Sequence, residues 1–255
     1  MISLYIKKKK YNAFELNDIS MEIIPGNINL LLGHNGAGKT TIIKSLFGLI
    51  EFDGELIVDN RQFSFDSQED VNYFKSQIAY LPDNISLLDY LTPTEYFQLM
   101  KSSNGVETTN EYLENLIEIF NLEKYMNVPI RNLSHGNKKK TQIVSQLFRG
   151  TNFLVFDEPT NGLDPDMIIT LKRVLDKLKS QGVGILISTH DLNFGKDLFD
   201  HIVILRDGMM KLNSTKEEVK SKFGNIMLED LYTKVNKDYY KYIERLLDEL
   251  NISGS

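Results

Sequence analysis

The sequence predicts an α/β fold in which a mostly parallel β-sheet is covered by helices. Continuous apolar runs, typical of strands buried on both faces, recur at 153–156, 184–187 and 202–205. Helical patterns at about 167–180 and 192–199 separate these runs. A further apolar run at 29–32 leads into a glycine-rich segment and then a helical pattern. Alternating strands and helices of this kind favour a parallel sheet with crossover helices.

Composition and charge narrow the classes of function. The chain has 255 residues, of which 42% are hydrophobic and 25% charged, so we expect a folded, soluble protein. Its formal net charge of -6 provides no overall positive field for nucleic acid or anionic lipid. The lack of cysteine excludes disulfide frameworks, thiolate zinc sites and cysteine nucleophiles. No stretch approaches the roughly 18 apolar residues of a membrane-spanning helix.

The remaining elements follow from local patterns. Short strands are predicted at 4–6, 19–24, 55–58 and 77–81. Apolar spacing and Gly48 predict a helix over 39–47. Residues 94–125 read as a helical insert, and one apolar stripe predicts a single helix over 232–250. We expect that last helix to pack on its own domain or on a partner.

A phosphate-binding loop is predicted at residues 33–40, which fit the pattern G-x-x-x-x-G-K-[ST] between a strand and a helix. Glycines let successive backbone N–H groups surround phosphate oxygens at a helix N-terminus. Lys39 adds a positive charge for the outer phosphates, and the Thr40 hydroxyl is a candidate Mg²⁺ ligand. The candidate nucleotide-binding residues of this segment are Gly33, Asn35, Gly36, Ala37, Gly38, Lys39, Thr40 and Thr41.

Two further predicted strands end in candidate functional residues. Asp157 and Glu158 follow the run at 153–156, with Asp157 the candidate Mg²⁺ ligand and Glu158 the candidate base that orients a water. A polar turn is the alternative interpretation of this Asp-Glu-Pro segment. His190 follows the run at 184–187 and is a candidate sensor of the γ-phosphate, with a helix-entry or packing role as its alternative.

Taken together, these residues resemble the ATP-binding subunit of an ATP-binding cassette (ABC) transporter. Residues 133–137 (LSHGN) are similar to the family's L-S-G-G-Q signature, 162–164 to its D-loop and 78–83 to its Q-loop. The resemblance covers about 1–215, with a helical subdomain at about 84–148, and leaves 216–255 as a C-terminal helical tail. It implies a P-loop NTPase core of the ABC type with an antiparallel β subdomain built from the N-terminal strands.

The resemblance also implies how the site is completed. Two such domains associate head to tail around ATP and Mg²⁺, so Ser134, Gly136 and Asp164 are expected to act across the dimer interface. Tyr11 stands about where the family carries an aromatic residue that stacks on adenine, with Tyr5 as its competitor. The partner cassette is either a second copy or a different chain.

Three residues depart from the family pattern. Asp83, which we count with the catalytic candidates, stands where most members have Gln. His135 replaces a signature glycine, and Asn137 replaces Gln. We expect these departures to affect the rate more than the reaction.

The branch of the family that these residues resemble supplies ATPases to bacterial exporters whose permease is a separate chain. It implies a peripheral location on the cytoplasmic face of the membrane, contact with the membrane through the permease, and no nucleic acid partner. Tyr90, Tyr96 and Phe97 are candidates for the permease groove, with core packing as their alternative. An ATP-binding regulatory or scaffold protein, for example of the iron–sulfur assembly type, is the alternative function. The lysine runs 7–10 and 138–140 are interpreted as solvated faces, or else as phosphate- or lipid-attracting ones.

Overall fold

The computed structural model describes residues 1–10, 14–104 and 108–250. Their main feature is a six-stranded sheet with the order β10-β9-β3-β8-β7-β6. All neighbours are parallel except β9 and β10, which are antiparallel. The predicted, mostly parallel sheet is therefore confirmed. The strands are β1 (Ile2–Lys10), β2 (Glu15–Ile23), β3 (Ile28–Gly33), β4 (Asp53–Val58), β5 (Arg61–Gln62), β6 (Ile78–Leu81), β7 (Phe153–Asp157), β8 (Gly184–Thr189), β9 (His201–Arg206) and β10 (Met209–Thr215).

A second, antiparallel sheet with the order β2-β1-β4-β5 is formed by the N-terminal strands, as predicted. In this sheet alternate residues of β1 are buried, whereas β3 is buried throughout its length. The side chains of Ile28, Leu30 and Leu32 enter one apolar cluster, and Leu31 enters the other. The parallel sheet is thus covered on both faces, which is what its continuous apolar runs require.

Helices connect the parallel strands and form an insert between β6 and β7. Their ends carry local signals: Asp164 caps α6 ahead of Pro165, and Thr215 forms a capping box with Glu218 at α8. The helices are α1 (Lys39–Leu46), α2 (Gln68–Gln77), α3 (Pro93–Asn104), α4 (Asn110–Ile119), α5 (His135–Leu147), α6 (Pro165–Ser180), α7 (Leu192–Gly195), α8 (Lys216–Phe223), α9 (Leu228–Val235) and α10 (Lys237–Glu249).

The prediction of one continuous helix over 232–250 is wrong. Asn236, with φ −105° and ψ 28°, separates α9 from α10, and its side-chain amide donates to the Tyr232 carbonyl at 2.8 Å. Asn236 thus ends α9, and α10 begins at the next residue, Lys237. The apolar stripe of α10 is largely exposed, as at Leu246 and Leu247.

Two interpretations of surface residues change as well. Lys139 and Lys140 are buried, so the run 138–140 is not a solvated face. Tyr96 and Phe97 are buried in the larger apolar cluster, which favours their packing role, whereas Tyr90 is 71% exposed. The helix expected at 192–199 ends at Gly195.

Within residues 1–10, 14–104 and 108–250, every helix is too short or too polar to cross a bilayer.

Candidate functional site

The phosphate loop connects β3 to α1 through two glycines with positive φ, Gly36 at 87° and Gly38 at 111°. Both angles lie in a region that residues with a β-carbon rarely adopt. A Cβ on Gly38 would also come within 2.7 Å of Leu16 and 2.8 Å of Phe14. The loop can therefore turn directly into the N-terminus of α1, where free N–H groups favour anions.

Lys39 is buried, with 6% of its side chain exposed, and its ammonium lies at the centre of the site. Its Nζ donates to the Gly33 carbonyl at 2.7 Å and lies 3.1 Å from Oε1 of Glu158. A buried charge needs such partners because desolvation is otherwise unfavourable by several kcal/mol. The ion pair joins the phosphate loop to the end of β7.

Asp157, the last residue of β7, is joined to the first turn of α1 and to β8. Its Oδ2 accepts from the Thr40 hydroxyl at 3.0 Å, and its Oδ1 accepts from the Ser188 hydroxyl. Burial raises the pKa of Asp157, while the two hydroxyl donors oppose that rise. Hard oxygen atoms converge here, so Thr40 and Asp157 fit a Mg²⁺ ion.

Glu158 leaves the strand in a left-handed conformation, with φ 46°, and its N–H donates to the Ser188 carbonyl at 3.0 Å. Adjacent strand residues point to opposite faces, so this change of backbone lets two successive carboxylates reach one site. Such a conformation is uncommon for a residue with a β-carbon and points to a functional position.

The second oxygen of Glu158 faces β8. Its Oε2 lies 2.9 Å from Nδ1 of His190 and accepts from the Thr189 hydroxyl at 3.2 Å. Glu158 is thus held between a lysine on one oxygen and an imidazole and a hydroxyl on the other. The His190 side chain is 44% exposed, so its ring reaches from this buried carboxylate towards solvent.

Asp83 follows β6 and lines the same cleft as the phosphate loop. Its Oδ1 accepts from the Asn161 side-chain amide at 2.7 Å. Its backbone carbonyl accepts from Lys139 of α5 at 3.1 Å. Burial lowers the pKa of Lys139, while the carboxylates of Asp83, Asp157 and Glu158 act to raise it.

The cleft over the phosphate loop has a volume of about 410 Å³. Phe14 forms part of its wall, next to Gly38. Tyr11 lies outside the described residues. The lining residues are Phe14, Asn35, Gly36, Gly38, Lys39, Thr40, Thr41, Asp83 and Glu158.

Ser134, Gly136 and Asp164 do not line this cleft. The Ser134 hydroxyl accepts from the Asn137 N–H at 3.3 Å and caps α5, and Asp164 caps α6 through the Met167 N–H at 2.9 Å. Gly136 packs closely on the D-loop, since a Cβ there would lie 3.0 Å from the Gly162 carbonyl.

His135 packs against the D-loop as well. Gly162 has φ 81°, and a Cβ on it would lie 2.2 Å from the His135 ring. The histidine that departs from the signature pattern therefore rests on a glycine of its own chain.

Sequence reasoning missed four residues of this site: Phe14, Lys139, Asn161 and Thr189. Thr189 had a usable signal, because it ends a buried strand next to His190. The other three are placed by contacts between distant segments, for which the sequence carries no local pattern.

Comparisons with known proteins show the family and the fold of this chain. The family profile described as ABC transporter matches residues 16–161. The ABC-type transporter ATP-binding protein EcsA of Bacillus subtilis (strain 168) is 31% identical over 228 residues, covering 88% of this chain and 91% of that protein. The lantibiotic transport ATP-binding protein SrtF of Streptococcus pyogenes is 32% identical over 234 residues, covering 89% and 98%.

A solved structure of an ATP-binding subunit of an ABC transporter superposes with a TM-score of 0.82 at 29% identity, covering 92% of this chain and 99% of that one. A dimeric ATP-binding cassette in a post-hydrolysis state with ADP and Pi has the same fold, with a TM-score of 0.70 at 21% identity, covering 84% and 98%.

Fold and site define an ATP-hydrolysing P-loop cassette. The chain belongs to the ABC transporter family. It is an ATP-binding subunit, the class of chain in that family that dimerises and works with transmembrane permeases.

Proposed function

We propose that this chain hydrolyses Mg²⁺-bound ATP at the carboxyl edge of its parallel sheet and thereby drives a separate permease that exports a peptide, an antibiotic or another small substrate. The observation that carries the proposal is the contact series from Lys39 through Glu158 to His190, which lies beside the pair Thr40 and Asp157. It joins a phosphate-binding group and a base, which both line the cleft over the phosphate loop, to a polar sensor that contacts the base from outside that lining.

The phosphate loop binds the phosphates of ATP. The loop N–H groups and Lys39 hold the phosphates, and the polyphosphate offers Lys39 an anionic partner besides Glu158. Thr40 and Asp157 hold Mg²⁺, which neutralises developing charge on the phosphate oxygens when it is bound. Phe14 and Tyr11 are aromatic candidates for stacking on adenine, and Phe14 already lines the cleft, whereas Tyr5 does not line it.

Glu158 is the general base for hydrolysis. Its carboxylate orients the attacking water and accepts its proton, and the Thr189 hydroxyl keeps that carboxylate in place. His190 contacts Glu158 from the exposed side. We assign it the role of γ-phosphate sensor. Asp83, fixed by Asn161, adds a carboxylate on the wall of the cleft.

Ser134, Gly136 and Asp164 act on the nucleotide of the partner cassette. Support comes from their position outside their own cleft and from the exposure of Ser134 and Asp164. The N-terminus of α5 offers N–H groups and a positive dipole end to a phosphate. A cassette of the same fold is known as a dimer with ADP and Pi.

A role in transport is supported by the names of two relatives. SrtF is a lantibiotic transport protein by name, and EcsA is an ABC-type transporter protein by name. The insert between β6 and β7 is the proposed docking site for the permease, with the exposed Tyr90 as the candidate contact. The nearby Tyr96 and Phe97 are core residues.

The test compares the wild type with Glu158→Gln in ATP turnover and in gel filtration with ATP. The variant should lose at least about 100-fold in turnover and accumulate as an ATP-bound dimer. Glu217→Gln, an exposed change at the start of α8, is the control and should behave as wild type. A wild type that binds ATP without turnover would instead support the regulatory or scaffold alternative. Co-purification of a membrane protein encoded next to this chain tests the permease.

A further inference from the structure

His34, the second residue of the phosphate loop, contacts a segment far from it in sequence. Its Nδ1 lies 2.8 Å from the Asn35 carbonyl, and its Nε2 lies 3.1 Å from Oδ1 of Asp207, in the turn between β9 and β10. The Asn35 carbonyl and the Asp207 carboxylate both only accept hydrogen bonds, so the ring donates to both when each of its nitrogens carries a proton. The ring therefore ties the loop backbone to a carboxylate on a neighbouring strand end.

The turn that holds His34 is itself fixed against the loop. Asp207 has φ 51°, and the N–H of Gly208 donates to the Ala37 carbonyl at 3.1 Å. A Cβ on Gly208 would lie 1.9 Å from the Glu15 carbonyl, so no larger residue fits. Residues 207–208 thus contact the phosphate loop at two points, His34 and Ala37.

The last helices reach the same turn. The Arg206 guanidinium lies 3.6 Å from the ring centre of Tyr239 in α10, and its Nε lies 3.5 Å from Oδ2 of Asp207. Only 15% of the Arg206 side chain is exposed, so the stack is well shielded. A contact series therefore runs from α10 through Arg206 and Asp207 to His34.

Tyr232 of α9 provides a second contact. It is buried, and burial raises the pKa of its hydroxyl, while Arg206 and the His34 backbone amide oppose that rise. Tyr232 thereby adds an interaction between α9 and the backbone of His34. The pair α9–α10 reaches the loop from both sides of the break at Asn236.

We propose that the α9–α10 pair positions the phosphate loop, through Tyr239, Arg206, Asp207 and His34, and thereby sets the affinity of this chain for ATP. These are positioning residues, since none of them lines the cleft over the loop. The inference rests on the proposed function, because it assumes that ATP binds at this loop.

The physical reason lies in the loop itself. Two of its residues, Gly36 and Gly38, have the widest conformational freedom of any residue type. A loop that is not held must be ordered when the phosphates bind, and that ordering lowers affinity. Contacts on His34 and Ala37 supply the order beforehand. Losing them should weaken binding about 3- to 10-fold, with little effect on the chemical step.

The experiment measures the Kd of the full chain for AMP-PNP with Mg²⁺ by calorimetry, and kcat and KM for ATP. Tyr239→Ala removes the stack on Arg206, and Asp207→Asn removes the charge while keeping a residue that tolerates the left-handed turn. Each should raise Kd and KM about 3- to 10-fold and change kcat by less than about twofold. Tyr239→Phe keeps an aromatic ring over Arg206 and should restore wild-type values.

Tyr242→Ala is the matched control, because Tyr242 lies on the same helix, is 50% exposed and contacts Arg245 of its own helix instead. It should bind as wild type does. Equal Kd values for wild type and Tyr239→Ala, or an equal rise in Tyr242→Ala, would overturn the positioning role and leave the proposed function intact. A wild type that does not bind AMP-PNP would overturn both.

Discussion

At the carboxyl edge of the parallel sheet, functional side chains have partners within the chain, whereas at the N-terminus of α5 they face solvent. Lys39 and Glu158 are buried and paired, and Asp157 accepts from two hydroxyls. Ser134 is exposed, and within the described part of the chain its hydroxyl accepts from the N–H of Asn137 in its own helix.

The difference follows from the cost of burying charge. A carboxylate or ammonium inside a protein needs a partner in place at all times, so the sheet edge must be assembled during folding. An N-terminal helix turn keeps its N–H groups satisfied by water until an anion arrives. One half of the site is therefore built in advance, and the other is, in our proposal, a surface for a second cassette.

Lys39→Ala should break the first half and give the largest effect. It removes the charge that faces the phosphates and leaves Glu158 buried without its cation, so we expect loss of ATP binding by roughly 100-fold or more. Calorimetry with AMP-PNP measures the loss. The exposed Lys7→Ala on β1 is the control, and a Lys39→Ala variant that binds normally would contradict the phosphate-loop assignment.

Ser134→Ala should affect only the second half of the site, at the N-terminus of α5. The single chain should bind AMP-PNP as before, while ATP-dependent dimerisation and turnover should fall by about 10-fold or more, because a hydroxyl donor to the partner's phosphate is gone. Gel filtration and ATP turnover measure these effects.

Loss of the helix cap must be separated from loss of the phosphate contact. An N-cap serine contributes about 0.5–2 kcal/mol to stability. Thr109→Ala removes an equivalent cap at α4, where the hydroxyl accepts from Tyr112 at 3.2 Å, and should lower stability without affecting the dimer. Equal loss of dimer in both variants would refute a special role for Ser134.

The predictability of the two halves also differs. The phosphate loop and the strand ends at Asp157 and His190 are continuous segments, so their spacing in the sequence already indicated how they would meet. The bend at Glu158 was expected only as a strand end, and its left-handed backbone comes from the fold.

What could not be predicted depends on distant contacts. Lys139 is a lysine in a charged run, yet it is buried because α5 lies against the segment after β6. The helix break at Asn236 falls within a continuous amphipathic pattern. It coincides with a hydrogen bond from the Asn236 side-chain amide to the Tyr232 carbonyl. Neither leaves a periodic signal.

Asp83→Asn tests whether a carboxylate on the wall of the cleft contributes to Mg²⁺ binding. Asparagine keeps an oxygen that accepts from Asn161 and removes one negative charge near Asp157. Because less negative charge then attracts Mg²⁺, the Mg²⁺ concentration that gives half-maximal turnover should rise about 2- to 5-fold. Thermal stability should not change. The control is Asp89→Asn, an exposed partner of Lys138. An unchanged Mg²⁺ requirement would remove Asp83 from the catalytic candidates.

The last comparison concerns the amino end of the parallel sheet, opposite the candidate site. A substitution there should have the smallest effect of those proposed. His201 begins β9, and burial lowers its pKa, against smaller raising effects of Glu218 and Glu22. Its neutral form is favoured by folding, so the unfolded chain takes up a proton first, near pH 6.5, and stability falls as the pH drops below that value. His201→Gln cannot titrate, so its melting temperature should fall less between pH 7 and pH 5, by about 1–3 °C relative to wild type. Thermal unfolding at both pH values measures this, with ATP turnover at pH 7 unchanged; an identical acid response in both proteins would show that His201 is not a source of the pH dependence.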